Sequence, residues 1–303
     1  MSPSLITFIN ILILLSLAIG APTIAVGTIA LFKIKISANV RTYLYAFTAG
    51  LVVILGTVGF IAEAINHSKE YFSGEAHTSL SAVQTIQVIS VVTGGALLGV
   101  AIVMISRYLF THLTGKKNDF HDQHSEHNHA EFLFNASDID NKKIKWLPIF
   151  LLLAHRLVDG IVLGFMANTS GSVAAIAQFD NWGMIIVFVL HLVPTSIVIY
   201  FIQLDISEGN RLKSFLVAFL MTVLMIPFTL IGGFLITNIE AIWWLMPLLY
   251  AVSGSLMTLG SILEIIPEFI HFRNASLKQW MYTTAWLSAG IILAILLISV
   301  HSH

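Results

Sequence analysis

Apolar runs of about 20 residues or more recur along the whole chain. Eight can be drawn, at about 4–32, 42–66, 82–112, 146–167, 183–203, 212–236, 242–270 and 279–300. At about 1.5 Å per residue, a helix of that length covers the roughly 30 Å hydrocarbon core of a bilayer. Only 10% of the 303 residues are charged and 57% are hydrophobic, whereas about 25% are charged in a soluble domain. A soluble globular fold is therefore excluded, and the expectation is an all-α membrane protein with eight transmembrane helices.

Orientation follows from the cations, because cytoplasmic loops retain Lys and Arg. With the N-terminus outside, the inner connections hold Lys33, Lys35, Arg41, Arg107, Lys116, Lys117, Lys142, Lys143, Lys145, Arg211, Lys213, Arg273 and Lys278, thirteen of the fifteen Lys and Arg residues. Lys69 alone falls outside, and Arg156 lies within a helix. Both termini are expected outside, in the plasma membrane. The first run has no cationic leader and exceeds the usual signal-peptide core of about 7–15 residues, so it counts as a span. The chain has no cysteine, which excludes disulfides and thiolate metal sites. The net charge of −1 carries no information about partners, because the charges are segregated by side; nucleic acid is not an expected partner.

The organisation is one membrane domain, with helices one to three in 1–112 and helices four to eight in 146–303. A loop at 113–145 separates them on the cytoplasmic side. It carries His121, His124, His127 and His129 among acids and has no apolar period, which predicts disorder. Weak divalent-cation binding is one reading of these histidines, and a solvated linker is the simpler one. A faint repeat links Ala49-Gly50 through Glu63 with Ser253-Gly254 through Glu268. Between helices of opposite direction this would be an inverted repeat, as secondary transporters often use, or chance likeness between two glycine-bearing helices.

Ionisable groups at bilayer depth are costly and usually functional. His155 and Asp159 are four residues apart within the run Trp146 to Met166, so they project from one helix face about one turn apart. His191 stands in the next run at matching depth. Two imidazoles and one carboxylate suit zinc and tolerate iron or manganese. A proton pathway, or a buried hydrogen-bond network that fixes helix packing, are the other readings. Pro194 removes a backbone hydrogen bond beside His191, and Thr195, four residues on, is an auxiliary ligand or bonds back to its own helix. Arg156 must find an acid in the bilayer; Asp159 at i+3 is the expected partner, with Glu264 as the alternative. Glu63, Glu264 and Glu268 are vestibule carboxylates that attract cations, or interfacial residues that snorkel to water.

Together these residues resemble the ZIP family of divalent-metal transporters over nearly the whole chain. Members have eight helices, both ends outside, and a His-rich loop between helices three and four. Their helix four reads His-Asn-x-x-Glu/Asp-Gly, matched by His155, Asp159 and Gly160, and their helix five reads His-Glu-x-Pro-His-Glu, matched by His191 and Pro194. Helix two usually ends in Pro-Glu, here Ala62-Glu63, and helix seven in a Leu-Leu-Pro-Glu-like run, here Ile265-Ile266-Pro267-Glu268. Where the family places ligands of a second metal, this chain has Arg156, Leu192 and Ile226 before Pro227. One metal is therefore expected, with Arg156 as a tethered cation in the second position; a related branch puts a lysine after the helix-five histidine. Thr195 replaces a further histidine, leaving the remaining site one ligand short.

The resemblance implies an inverted-repeat, ZIP-like bundle that carries a divalent transition metal, zinc first, toward the cytoplasm by alternating access. It also implies a homodimer in which a unit of helices four and five moves against a scaffold. His155, Asp159 and His191 would be the ligands, Thr195 an auxiliary one, and Glu63, Glu264 and Glu268 the entrance and exit acids. The metal is substrate, and neither a cofactor nor an enzymatic reaction is expected. Two alternatives stand beside this. An intramembrane zinc hydrolase would need a general base that His-Leu-Val-Pro-Thr does not offer. A transport-dead relative would sense metal without moving it.

Overall fold

The computed structural model describes residues 3–34, 36–73, 80–113, 145–169, 179–234, 242–266 and 276–301. Eight helices are long and apolar enough to cross a membrane, and no strand occurs among the described residues. We label them in chain order. Helix α1 is Pro3–Leu31. Helix α2 runs as Ala38–Ile54, a π-helical turn Leu55–Phe60 and Ile61–Ser73. Helices α3, α4 and α5 are Ala82–Leu113, Trp146–Thr169 and Phe179–Ile206. Helix α6 is Arg211–Val223 followed by Met225–Phe234. Helix α7 is Leu245–Gly260 and passes into a π-helical turn, Ser261–Ile265. Helix α8 is Leu277–His301. The four loop histidines lie outside the described residues, as do Pro267 and Glu268.

Local chemistry sets the helix ends that can be described. Ser37 and Asn210 cap α2 and α6, their side-chain oxygens accepting from the amides of Val40 and Lys213. Such caps satisfy amides that the first helical turn leaves unpaired. Between α5 and α6 the chain reverses through Glu208 and Gly209, both at positive φ (54° and 88°), and the amide of Gly209 donates to Leu204 at 2.8 Å. Glycine past a helix end takes this conformation without a Cβ penalty.

Packing sorts the helices into two groups. In one, α8 lies along α2, α3 lies along α7, and α2 crosses α7; in the other, α6 lies along α4, and α1 packs on α4, α5 and α6. Contacts of α4 with α7 and of α2 with α5 form much of the seam between the groups. Lipid is as apolar as the side chains, so membrane helices associate by close backbone approach over small residues. Helices α2 and α7 cross at Gly56 and Gly254, where a β-carbon on either would meet the other's carbonyl oxygen at about 2.5 Å. Helices α4 and α6 meet at Gly164 and Gly232; a β-carbon on Gly164 would overlap the carbonyl of Thr229, and one on Gly232 the carbonyl of Ile161. In the faint α2/α7 repeat, Gly254 faces Gly56 rather than Gly50, which instead packs on the backbone of Leu287 in α8. Each of the two helices nonetheless carries one π-helical turn.

Helix α5 runs unbroken through Pro194. Departures from α-geometry occur instead in α2, α6 and α7. Faces of α3 and α8 remain mostly uncovered, with Ile86, Ile89, Leu97, Ile105, Ile292, Ile295 and Leu296 exposed.

Replacing Gly164 with Val forces α4 and α6 apart and is expected to destabilise the detergent-solubilised protein by about 1–3 kcal/mol. At Gly94, where a β-carbon would meet nothing within 4 Å, Ala should leave the melting temperature equal or slightly higher.

Candidate metal centre

Helix α4 places Asp159 13 residues from its Trp146 end, and α5 places His191 12 residues from its Phe179 end. At 1.5 Å per residue each lies about 20 Å along its helix, near mid-depth. The i, i+4 spacing puts His155 beside Asp159 on one face of α4, and α5 brings His191 against that face. Donor atoms of the three side chains lie within 4.8 Å of one another, the one such group among the described residues. His155, Asp159 and His191 are 2%, 0% and 1% exposed, so the cluster is sealed from the surrounding bilayer.

The geometry within the cluster is specific. Asp159 Oδ2 lies 2.9 Å from His155 Nε2 and 3.2 Å from His191 Nε2. Its other oxygen, Oδ1, accepts from the hydroxyl of Ser253 at 3.1 Å. Ser253, on α7, also meets His155 Nδ1 at 2.8 Å. A serine hydroxyl has one proton. Because that proton goes to the carboxylate, which accepts only, His155 Nδ1 must be the donor to Ser253. The lone pair of the neutral ring is then on Nε2. That atom is buried and has no hydrogen-bond partner, its 2.9 Å approach to Oδ2 being off hydrogen-bond geometry. Two lone-pair donors facing each other without a proton between them form an arrangement that a cation completes. An N, N, O donor set is among those that zinc, iron and manganese accept.

Rings close over the cluster. Phe60, at the end of the α2 π-helical turn, is T-shaped to both imidazoles with ring centroids 5.9 Å from His155 and 6.4 Å from His191, and the Phe188 centroid stands 5.2 Å from that of His191. Tyr250 of α7 lies 6.1 Å beyond Phe60, and His67 of α2 stacks on Tyr250 at 5.7 Å. His67 is one turn past Glu63 on the same helix. Neither Glu63 nor Glu264 joins the three-residue group.

Two expectations are corrected. Arg156 is fully buried, at 1% exposure, but has no carboxylate within salt-bridge distance among the described residues. Its Nη1 donates to Thr222 at 2.6 Å, and its Nη2 to Ser196 at 2.6 Å, Thr195 at 3.3 Å and the Leu192 carbonyl at 3.4 Å. Asp159 Oδ2 is hydrogen-bonded to His191 Nε2 and Oδ1 to Ser253, and α5 and α6 instead offer the guanidinium a cage of hydroxyls. Glu264 is not its partner either, because Arg107 of α3 pairs with that acid at 2.5 Å. Thr195 is engaged by Arg156, and its own proton is directed to the carbonyls of His191 or Leu192. Ser253, Ser196 and Thr222 carry no signal in the sequence that sets them apart from other helix-borne hydroxyls. For Ser253 alone a hint existed, as the start of the faint repeat.

No protein-family model matches this chain, and no curated protein matches it.

Replacing Arg156 by Ala leaves three hydroxyls and a carbonyl without their charged donor. Loss of charge-assisted bonds of this kind costs about 2–4 kcal/mol, so the variant should melt well below wild type in detergent. Thr222→Val, which removes one acceptor, should lose less.

Proposed function

We propose that this chain is a carrier of the ZIP type that moves a divalent transition metal, zinc first, toward the cytoplasm by alternating access through one mid-membrane site. The observation that carries the reading is His155 Nε2, a buried lone pair with no hydrogen-bond partner, 2.9 Å from a buried carboxylate oxygen. An unsatisfied buried acceptor costs about 1–3 kcal/mol; Asn10 Oδ1 and Gln203 Oε1 are others, but His155 Nε2 is the one that shares a donor group with a second imidazole and a carboxylate among the described residues. His155, Asp159 and His191 hold the metal; Glu63 and His67, on one face of α2, stand on the side of the bundle where both termini end. In this proposal that side is extracellular and the membrane is the plasma membrane.

The two helix groups supply the moving parts. All three ligands belong to α4 and α5, while Phe60, Tyr250 and Ser253, which cover them, belong to α2 and α7. Sliding one group along the seam would carry the site from one face to the other without dismantling its ligand set. The unit proposed to move includes α1 and α6 as well as α4 and α5. A second copy of the chain would cover the exposed apolar faces of α3 and α8.

Arg156 sits between α4, α5 and α6, one residue from His155, and contributes a fixed positive charge at the depth of the metal. Together with Asp159 it leaves the empty site neutral. It also opposes a second divalent ion and moderates the first, as a carrier that must release its cargo requires.

Proteoliposomes holding a zinc-sensitive dye test the reading. Wild type should admit zinc, with iron(II) and manganese(II) as comparisons, and His155→Ala, Asp159→Ala and His191→Ala should fall to the level of protein-free vesicles. Wild-type flux no higher than that of empty vesicles would overturn transport, even where binding persists. In the same vesicles Arg156→Asn should alter the zinc rate while the purified protein still binds one equivalent. An unchanged rate in Arg156→Ala would remove the electrostatic role.

A further inference from the structure

Ser253 of α7 is hydrogen-bonded to both candidate ligands that come from α4. We infer that Ser253 is a positioning residue that sets the ligand atoms of His155 and Asp159 across the seam between the two helix groups. The inference rests on the metal-site reading of the preceding section and adds to it the residue that makes the site competent. It is carried by geometry alone. One hydroxyl, itself 0% exposed, accepts from His155 Nδ1 at 2.8 Å and donates to Asp159 Oδ1 at 3.1 Å.

Each bond has a consequence at the opposite atom. Holding the proton on Nδ1 presents Nε2 to the ion, and the same contact fixes the ring's rotation about its χ angles. Engaging Oδ1 leaves Oδ2 as the oxygen that faces both imidazoles, at 2.9 and 3.2 Å. Partners of this sort behind metal ligands typically contribute about 10–100-fold in affinity. What distinguishes Ser253 is where it comes from. His155 and Asp159 ride on α4, whereas α7 packs with α2 and α3. The α2–α7 crossing at Gly56 and Gly254 puts Ser253 next to a close backbone approach within its group. If α4 slides against α7, both bonds break together. The ligand pair is then preorganised in the arrangement seen here and loosened outside it, so affinity depends on the relative position of the two groups.

The test uses full-length protein in detergent, titrated with zinc by calorimetry and with cobalt(II) by visible absorption. Wild type should bind one equivalent of each. Ser253→Ala, which leaves a buried donor and a buried acceptor unpaired, should melt below wild type while staying folded, and should bind zinc about 10–100-fold more weakly, with a cobalt band changed in intensity or position. Ser255→Ala, two residues along α7 and not bonded to the ligands, should change neither the affinity nor the band. Ser253→Ala binding within twofold of wild type, with the same cobalt band, overturns the positioning role while leaving the metal site standing. A wild type that binds neither metal instead overturns the reading on which it rests. Nitrogen-15 spectra of histidine-labelled wild type with zinc give a decision independent of how the variant folds. His155, assigned by its absence in His155→Ala, should ligate through Nε2 with Nδ1 protonated; ligation through Nδ1 overturns the inference.

Discussion

The structure turns on a single carboxylate. Asp159 lies near the middle of α4, 0% exposed, where an uncompensated charge would cost several kcal/mol. Both of its oxygens are engaged: Oδ2 faces imidazoles from α4 and α5, and Oδ1 takes a proton from α7. Three helices are therefore held at one mutual depth by one residue. The second buried charge is satisfied separately. Arg156, three residues earlier on the same helix, draws its hydrogen bonds from α5 and α6. Helix α4 is in this way tied by charge to α5, α6 and α7, while its contacts with α1 and α3 are apolar apart from side-chain bonds such as that of Asn10 to the Ala167 carbonyl.

Irregular backbone gathers around this helix. The π-helical turn of α2 ends at Phe60, whose ring meets both histidines, and the π-helical turn of α7 holds Glu264 against Arg107. Single π turns inside α-helices recur at functional positions, because they re-aim side chains that a regular helix would point elsewhere. Glycines at the α2–α7 and α4–α6 crossings let backbones approach within each group. The seam between groups, by contrast, is bridged by side chains.

The sequence determined the spans, because twenty apolar residues in a row admit few folds whatever their neighbours do. It also put His155 and Asp159 on one face of α4, since i, i+4 spacing is a property of one helix, and matched the depth of His191 by counting residues from helix ends. Tertiary structure decided everything that depends on which helices touch. Serines and threonines in membrane helices commonly bond to their own backbone, as Thr48 does to Leu44. Nothing local therefore separated Ser253, Ser196 or Thr222 from those bystanders. The partner of Arg156 differs from the sequence expectation for the same reason: an acid three residues away is the best choice within one helix, but α5 and α6 bring hydroxyls closer, and α5 and α7 bond the acid. Likewise Glu264 could be read as a free carboxylate only until α3 placed Arg107 beside it. Period and composition act along the chain, whereas the pairing of polar groups is set across it, by helix contacts that no span encodes alone.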